Sequence, residues 1–189
     1  MVILTPNPGL NPIDYFGECF VKQYRRALVA SLRLRLKKSR FPNLFLNPAF
    51  SWHSGFAYWH GPLARLIDTF ATDVGIRRID ALSFFSKSIA TLQLVPYHSV
   101  SFGLTNRVIS GLRSVRLASS FVKEVLLPRA RSLQAVLVVV RQARQWDIQE
   151  GRGVIVYEGG ESRAAYLTPR SRGGSAILKH LRRVWKNTA

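Results

Sequence analysis

Apolar positions recur at three- and four-residue spacing in four stretches of the chain, and they run unbroken in several shorter ones. From Phe16 to Lys38 the spacing predicts a helix, with Phe16, Phe20, Tyr24, Ala27 or Leu28 and Ser31 on one face. Lys22, Arg25, Arg26 and Arg33 occupy the other side, and the run ends in Arg35, Lys37, Lys38 and Arg40. A second helix is predicted from Gly61 to Gly75 on the stripe Leu63, Leu66, Ile67, Phe70 and Val74, with Gly75 as its stop. Asn106 to Leu127 reads as one helix or two in series, and Ser175 to Trp185 as the last, burying Ile177, Leu178, Leu181 and Trp185. Met1 to Asp14, with three prolines, reads as an irregular arm.

The unbroken apolar runs predict strands. Leu44-Phe45-Leu46 follows Pro42 and stops at Asn47-Pro48, where the residue before proline is held extended. Leu92 to Val95 ends in Pro96-Tyr97-His98-Ser99. Ala135 to Val140 is mostly β-branched and apolar on both faces, as the middle strand of a parallel sheet must be. Val154 to Tyr157 and Ala164 to Leu167 are two more, with Glu158-Gly159-Gly160-Glu161 between them as a hairpin turn. Strands alternating with helices predict an α/β fold, a three-layer α/β/α sandwich around a short, mostly parallel sheet. The expected division is an arm with a basic amphipathic helix over 1–40 and an α/β domain over 41–189.

Charge changes the picture most. Lys and Arg number 28 against 10 acids, a net +18, and a chain of 189 residues so charged calls for an anionic partner. No acid occurs between Cys19 and Ile67, between Ala81 and Lys123, or after Glu161. Nucleic acid, DNA foremost, is the expected partner, with an anionic membrane surface second through the helix at Phe16 to Lys38. The lone cysteine, Cys19, leaves no disulfide or thiol cluster. With no bilayer-length apolar run and no signal-peptide pattern at the N-terminus, the reading is a cytoplasmic protein without an integral membrane segment. His53 and His60 sit seven apart without a third ligand at metal spacing, so neither a metal nor a cofactor is expected.

In a parallel α/β sheet, ligands bind outside the carboxyl ends of the strands. Three loops are expected on that edge, at Asn47, at Tyr97-His98, and at Thr168 to Gly174. The first is dense in rings, from Phe50 and Trp52 through His53 and Phe56 to Tyr58, Trp59 and His60. Apolar rings on a loop need a core or a ligand to cover them.

The order of these pieces resembles the uracil-DNA glycosylase superfamily, most of all its mismatch-specific (thymine/uracil) branch. There a first strand ends in a Gly-Ile-Asn-Pro-Gly type motif, and Leu46-Asn47-Pro48-Ala49 is similar, with Ala49 in the place of the last glycine. The loop then runs to a Gly-Phe and to a Pro and an Arg opening a helix, as Gly55-Phe56 and Gly61-Pro62-Leu63-Ala64-Arg65 do. The family's second motif, an Asn- or His-Pro-Ser segment before the last helix, falls on Thr168-Pro169-Arg170-Ser171-Arg172-Gly173. The resemblance covers 41–185 as spaced fragments. It implies a DNA glycosylase that flips a mispaired, uracil-type or modified base out of the duplex and hydrolyses its N-glycosidic bond. The alternative is a non-catalytic nucleic-acid-binding module that keeps the fold. Asn47 would orient the water without acting as a titrating base. Phe50, Trp52, His98 and Thr168 would hold the base, and Arg170, Ser171, Arg172 and Gly173 the DNA backbone.

Overall fold

The computed structural model describes residues 1–33, 35–36 and 38–188, apart from the side chain of residue 13. Lys37, read above as part of the basic run, lies outside the described residues. In chain order the elements are β1 (Val2–Thr5), α1 (Pro12–Phe20), α2 (Lys22–Leu32), two single 3-10 turns (Leu44–Leu46 and Pro48–Phe50), α3 (Ser54–Val74), α4 (Arg78–Ser88) and β2 (Ala90–Gln93). They continue with α5 (Asn106–Gly111), α6 (Arg113–Phe121), a π-helical stretch (Val122–Leu126), α7 (Leu127–Arg131), β3 (Leu137–Val139), α8 (Ala143–Trp146), β4 (Val154–Val156), α9 (Gly159–Ala164) and α10 (Arg172–Lys186). These elements group into two compact units, Met1–Leu10 with Ala90–Ala189, and Asn11–Ile89. The boundary expected at residue 40 therefore falls inside a unit.

The first unit holds a four-stranded, all-parallel sheet in the order β2-β1-β3-β4. Val2 pairs with Ala90 on one side and Leu137 on the other, and Leu137 pairs with Val154. Side chains alternate across a strand. Leu4, Leu137, Val139, Val154 and Val156 thus share the face that packs with Ile109, Val115, Val122, Leu126 and Trp146 from the helical layer. Val138 points to the opposite face, where α10 approaches so closely that a Cβ on Gly173 would lie 2.9 Å from its Cγ1. Within this unit the sheet is covered on both faces by helices, the α/β arrangement that its β-branched strands require.

Three expectations for the strands are corrected. The sheet opens with Val2–Thr5, inside the stretch read as an irregular arm. Leu44–Leu46 is no strand. The Asn43 side chain accepts the Phe45 N–H and the Asn47 side chain the Ala49 N–H, so local capping curls the backbone into 3-10 turns. Ala164–Leu167 is not a strand either, because Gly159 and Gly160 open α9 rather than a hairpin, and Ala165 ends it in the left-handed region.

The second unit is helical. α3 begins at Ser54, two turns before the expected Gly61. His53 caps it, its Nδ1 accepting the Gly55 N–H, and Pro62 is carried inside it. An interior proline costs about 3 kcal/mol. Burial of Trp59, Leu63, Leu66, Ile67 and Phe70 offsets that cost, and Phe70 packs between the rings of Phe84 and Phe85 on α4. The ring-dense stretch expected as a loop is thus mostly helix.

The predicted stripe from Phe16 to Ser31 breaks at Val21, and α1 is turned inside out. Phe16 and Phe20 are 67% and 69% exposed while Asp14 and Gly17 are buried. Asp14 Oδ1 accepts the Ser54 N–H at 2.9 Å and Oδ2 accepts the Ser54 hydroxyl, placing a carboxylate at the start of α3 where the helix dipole favours it. The His53 Nε2–H donates to Glu18 at 3.3 Å, and Tyr24 stacks on the His53 ring at 4.8 Å. Burial, with Glu18 and Asp14 adding to it, pushes the Tyr24 hydroxyl well above its ordinary value.

Two glycines separate strain from space. Gly75 ends α3 at φ 69° with open space around it, whereas Gly153, at φ 72°, lies against the Ala130 carbonyl. Gly75→Ala is expected to cost about 1 kcal/mol from the left-handed backbone alone, and Gly153→Ala about 3 kcal/mol because the backbone there must also move. Denaturant midpoints of the two variants measure the difference.

Candidate functional site

The sheet order places β2 and β3 on opposite sides of β1, so the chain reverses its direction of growth beside β1. Ligands bind at the carboxyl end of such a switch point. Two loops there remain zipped beyond the strands. Leu94 N–H donates to Thr5 O, Val95 N–H to Pro6 O, Ser99 N–H to Pro8 O and Leu10 N–H to Ser99 O. Gly9 and Ser99 form an isolated parallel bridge.

This zipper fixes an amide. Asn7 Nδ2 donates to Ser99 Oγ at 2.7 Å and to the Pro8 carbonyl at 2.8 Å, and Ser99 Oγ passes its own hydrogen to Ser101 O at 2.8 Å. With both amide hydrogens engaged, Asn7 Oδ1 remains to accept a hydrogen bond from a water or a ligand. The His98 Nδ1–H donates to the Gly9 carbonyl at 2.8 Å, pinning the histidine beside the same loop. A cavity of about 390 Å³ opens here, its lining including the polar Asn7, Tyr97, His98 and Ser99 and the apolar Val95, Phe102 and Val108. That volume is within the roughly 300–1,000 Å³ of small-ligand sites. None of the lining residues is acidic. The buried Thr5 hydroxyl, two residues before Asn7, has no hydrogen-bond partner among the described residues.

The turn before α10 lies at the same sheet edge, on the β4 side. The Tyr157 hydroxyl donates to Tyr166 O at 2.7 Å and accepts the Gly173 N–H at 3.2 Å. Ser171 caps α10, accepting the Gly174 N–H at 3.1 Å while its hydroxyl donates to Thr168 O. The N–H groups of Ser171, Gly173 and Gly174, in the turn expected to hold the DNA backbone, are therefore already engaged. Arg172 pairs with Glu161 at 2.9 Å and with Glu150, and the hydrogen bond from Arg172 holds the Glu150 carboxyl below its ordinary range. Arg170 is exposed, and with Thr168, Tyr157 and Tyr166 it lines a hollow of about 300 Å³.

Asn47, Phe50 and Trp52 belong to the Asn11–Ile89 unit, which holds none of the sheet strands that were to carry them. The Asn47 side chain is occupied as the cap of Pro48–Phe50. Phe50 is buried against Tyr24 and Leu44, its ring 5.0 Å from that of Tyr24, so no face is open for a base. Trp52 is half exposed, and its ring lies 5.3 Å from that of Tyr24. Among the described residues no group of three His, Cys, Asp or Glu is placed to hold a metal ion, and no helix is long and apolar enough to cross a membrane.

Asn7, which the sequence reading did not single out, is the side chain this loop pairing positions at the cavity. The signal was present, since Asn7-Pro8-Gly9 carries the glycine that Asn47-Pro48-Ala49 lacks and follows a short apolar run, Val2-Ile3-Leu4. Three prolines nearby hid it, because proline density argues for an arm when no partner strand is in view. No family model, curated protein or solved structure matches the chain.

At the opposite, amino-terminal edge, a further cavity of about 300 Å³ is lined by Val136, Ile155, Lys179, His180 and Arg183. His180 is buried, and burial, the Met1 ammonium and Arg183 together push its pKa down from 6.5 to about 4. The unfolded chain binds this proton first, so stability is fullest above pH 6.5 and falls as pH drops toward 4. His180→Gln, which keeps an acceptor for Arg183, is expected to show a shallower acid loss in that window when unfolding free energies are compared across pH.

Proposed function

We propose that the protein binds DNA and draws one extruded base into the cavity beside Asn7 and Ser99, where it hydrolyses the N-glycosidic bond. The observation that carries this reading is the Asn-Pro-Gly turn directly behind central strand β1, its amide clamped by Ser99 with one oxygen left to accept. The glycosylase resemblance places Leu46-Asn47-Pro48-Ala49 at the end of a first strand; the first strand is instead Val2–Thr5, and the Asn-Pro that follows it, Asn7-Pro8, is succeeded by the glycine Gly9. The excess of 28 cations over 10 acids supports the partner, since both units carry more Lys and Arg than Asp and Glu.

In this reading the base leaves its stack at a cost of a few kcal/mol and enters between apolar and aromatic side chains. Tyr97, mostly exposed at the cavity mouth, and Phe102 offer ring faces. Asn7 Oδ1 accepts a hydrogen from a water and turns the water's lone pair toward the anomeric carbon. As the glycosidic bond breaks, its electron pair departs with the base. The water oxygen bonds the sugar carbon, and the released proton passes through solvent to the base. With no carboxylate in the lining, catalysis rests on positioning and on the departing base's charge, which makes for a slow enzyme. The same absence favours a second reading, a binding module that holds a base without cleaving it.

Incubation with uracil-, thymine-mismatch- and modified-base duplexes, followed by alkaline cleavage of abasic sites, decides between the readings. Wild type is expected to release at least one base. Asn7→Ala should lower that rate about a hundredfold, whereas Asn47→Ala should leave it near wild type. Salt-dependent binding without cleavage by wild type establishes the binding module instead, and no binding even at low salt overturns both.

A further inference from the structure

We infer that α1 and the first half of α2 form a binding surface for single-stranded nucleic acid, with bases on the Phe16–Phe20 face and phosphates in the hollow of Lys22, Arg25 and Arg26. Soluble proteins bury helix faces of this kind. Here the apolar face looks outward, and Tyr15, Phe16, Cys19 and Phe20, at one-, three- and four-residue spacing, are all exposed. The helix cannot roll to hide them. Its inner side is held by Asp14 on Ser54 and Glu18 on His53, and Gly17 lies so close to the Trp52 ring that no side chain fits there. The rings of Phe16 and Phe20 lie 4.6 Å apart at 37°, a paired aromatic ledge.

The cations stand on one face of the next helix. Lys22, Arg25, Arg26 and Val29, at three-, four- and seven-residue spacing, line a surface hollow of about 320 Å³ with no acid in it. Like charges at these spacings repel and destabilise an isolated helix, and an anion among them relieves the repulsion. Rings that stack any base, beside cations that hold a phosphate, are the elements of sequence-tolerant single-strand binding. The charge fits an anionic membrane too. Three of the four exposed side chains at Tyr15, Phe16, Cys19 and Phe20 are flat rings, the kind on which bases stack, which favours nucleic acid, and flotation on anionic vesicles separates the two. The surface extends the DNA-binding reading above, but it stands on its own residues and can fail separately.

The test uses the full chain and a fluorescein-labelled single-stranded oligonucleotide of ordinary bases, read by anisotropy across a salt series. Phe16→Ala/Phe20→Ala, both exposed and expected to melt like wild type, should weaken binding roughly tenfold or more with the salt slope unchanged. Arg25→Ala/Arg26→Ala should flatten the slope by about 0.7 for each phosphate no longer neutralised. Because the oligonucleotide carries only ordinary bases and the readout is binding, a wild type that releases no base can still pass this test, which separates this surface from the cavity. Wild-type binding by both α1 and α2 variants overturns the inference. So does an unchanged affinity for the oligonucleotide in the phenylalanine variant combined with lost flotation on phosphatidylserine/phosphatidylcholine vesicles, which assigns the face to a membrane.

Discussion

A strand in the middle of a parallel sheet has every backbone N–H and C=O committed to neighbours on both sides, and in this protein that strand is only four residues long. β1 exchanges hydrogen bonds with β2 along one edge and with β3 along the other, continuing into Ala90 N–H to Met1 O and Val140 N–H to Leu4 O at its flanks. Buried, unpaired backbone groups are costly enough that nothing else can replace these partners. Because β1 is fixed, the residues just past it are fixed as well. Asn7 leaves the sheet beside the loop after β2, and the bridge from Gly9 to Ser99 holds the two together. The cavity owes the placement of Asn7 and Ser99 in its lining to that pairing.

The helical unit is organised around a different constraint, a small polar cluster kept from water. Asp14 and Glu18 on one helix meet Ser54 and His53 at the start of another, under the ring of Tyr24. Buried polar groups are tolerated when they satisfy one another, and in doing so they specify one orientation of the helices that carry them. Here that orientation sends carboxylates in and phenylalanines out, beside an array of cations in the next helix. Acid is thus withdrawn from the surface where base is concentrated, which sharpens the local positive field beyond what net charge conveys.

What could be read from the sequence follows from how local the governing interactions are. The helical stretches after Asn106 and before Trp185, the buried run at Val138 and the stop at Gly75 were legible because periodicity, β-branching and a left-handed glycine are properties of a few neighbouring residues. Helix α9 was not legible in this way. Leu44–Leu46 misled because an apolar triplet between prolines looks like a strand until the amides of Asn43 and Asn47 are seen to cap it. Phe16 and Phe20 misled because spacing reveals a face but not which way it points, and the direction was set by Asp14 reaching Ser54, forty residues on. Asn7 was hidden for the same reason. Its position depends on strands whose partners lie far along the chain.

That distance bears on how the molecule comes to be folded. Val2 must meet Ala90 and then Leu137, so the central strand gains its second edge only after most of the chain exists. Closing such long loops before any contact rewards them is slow, and chains that depend on it leave apolar segments waiting. The hydrogen bonds and ring contacts that hold Asn11–Ile89 together internally are available much sooner. On a translating ribosome the helical unit can settle while Ile3 and Leu4 are still unsheltered, an interval in which a chaperone, or a neighbouring nascent chain, meets them first.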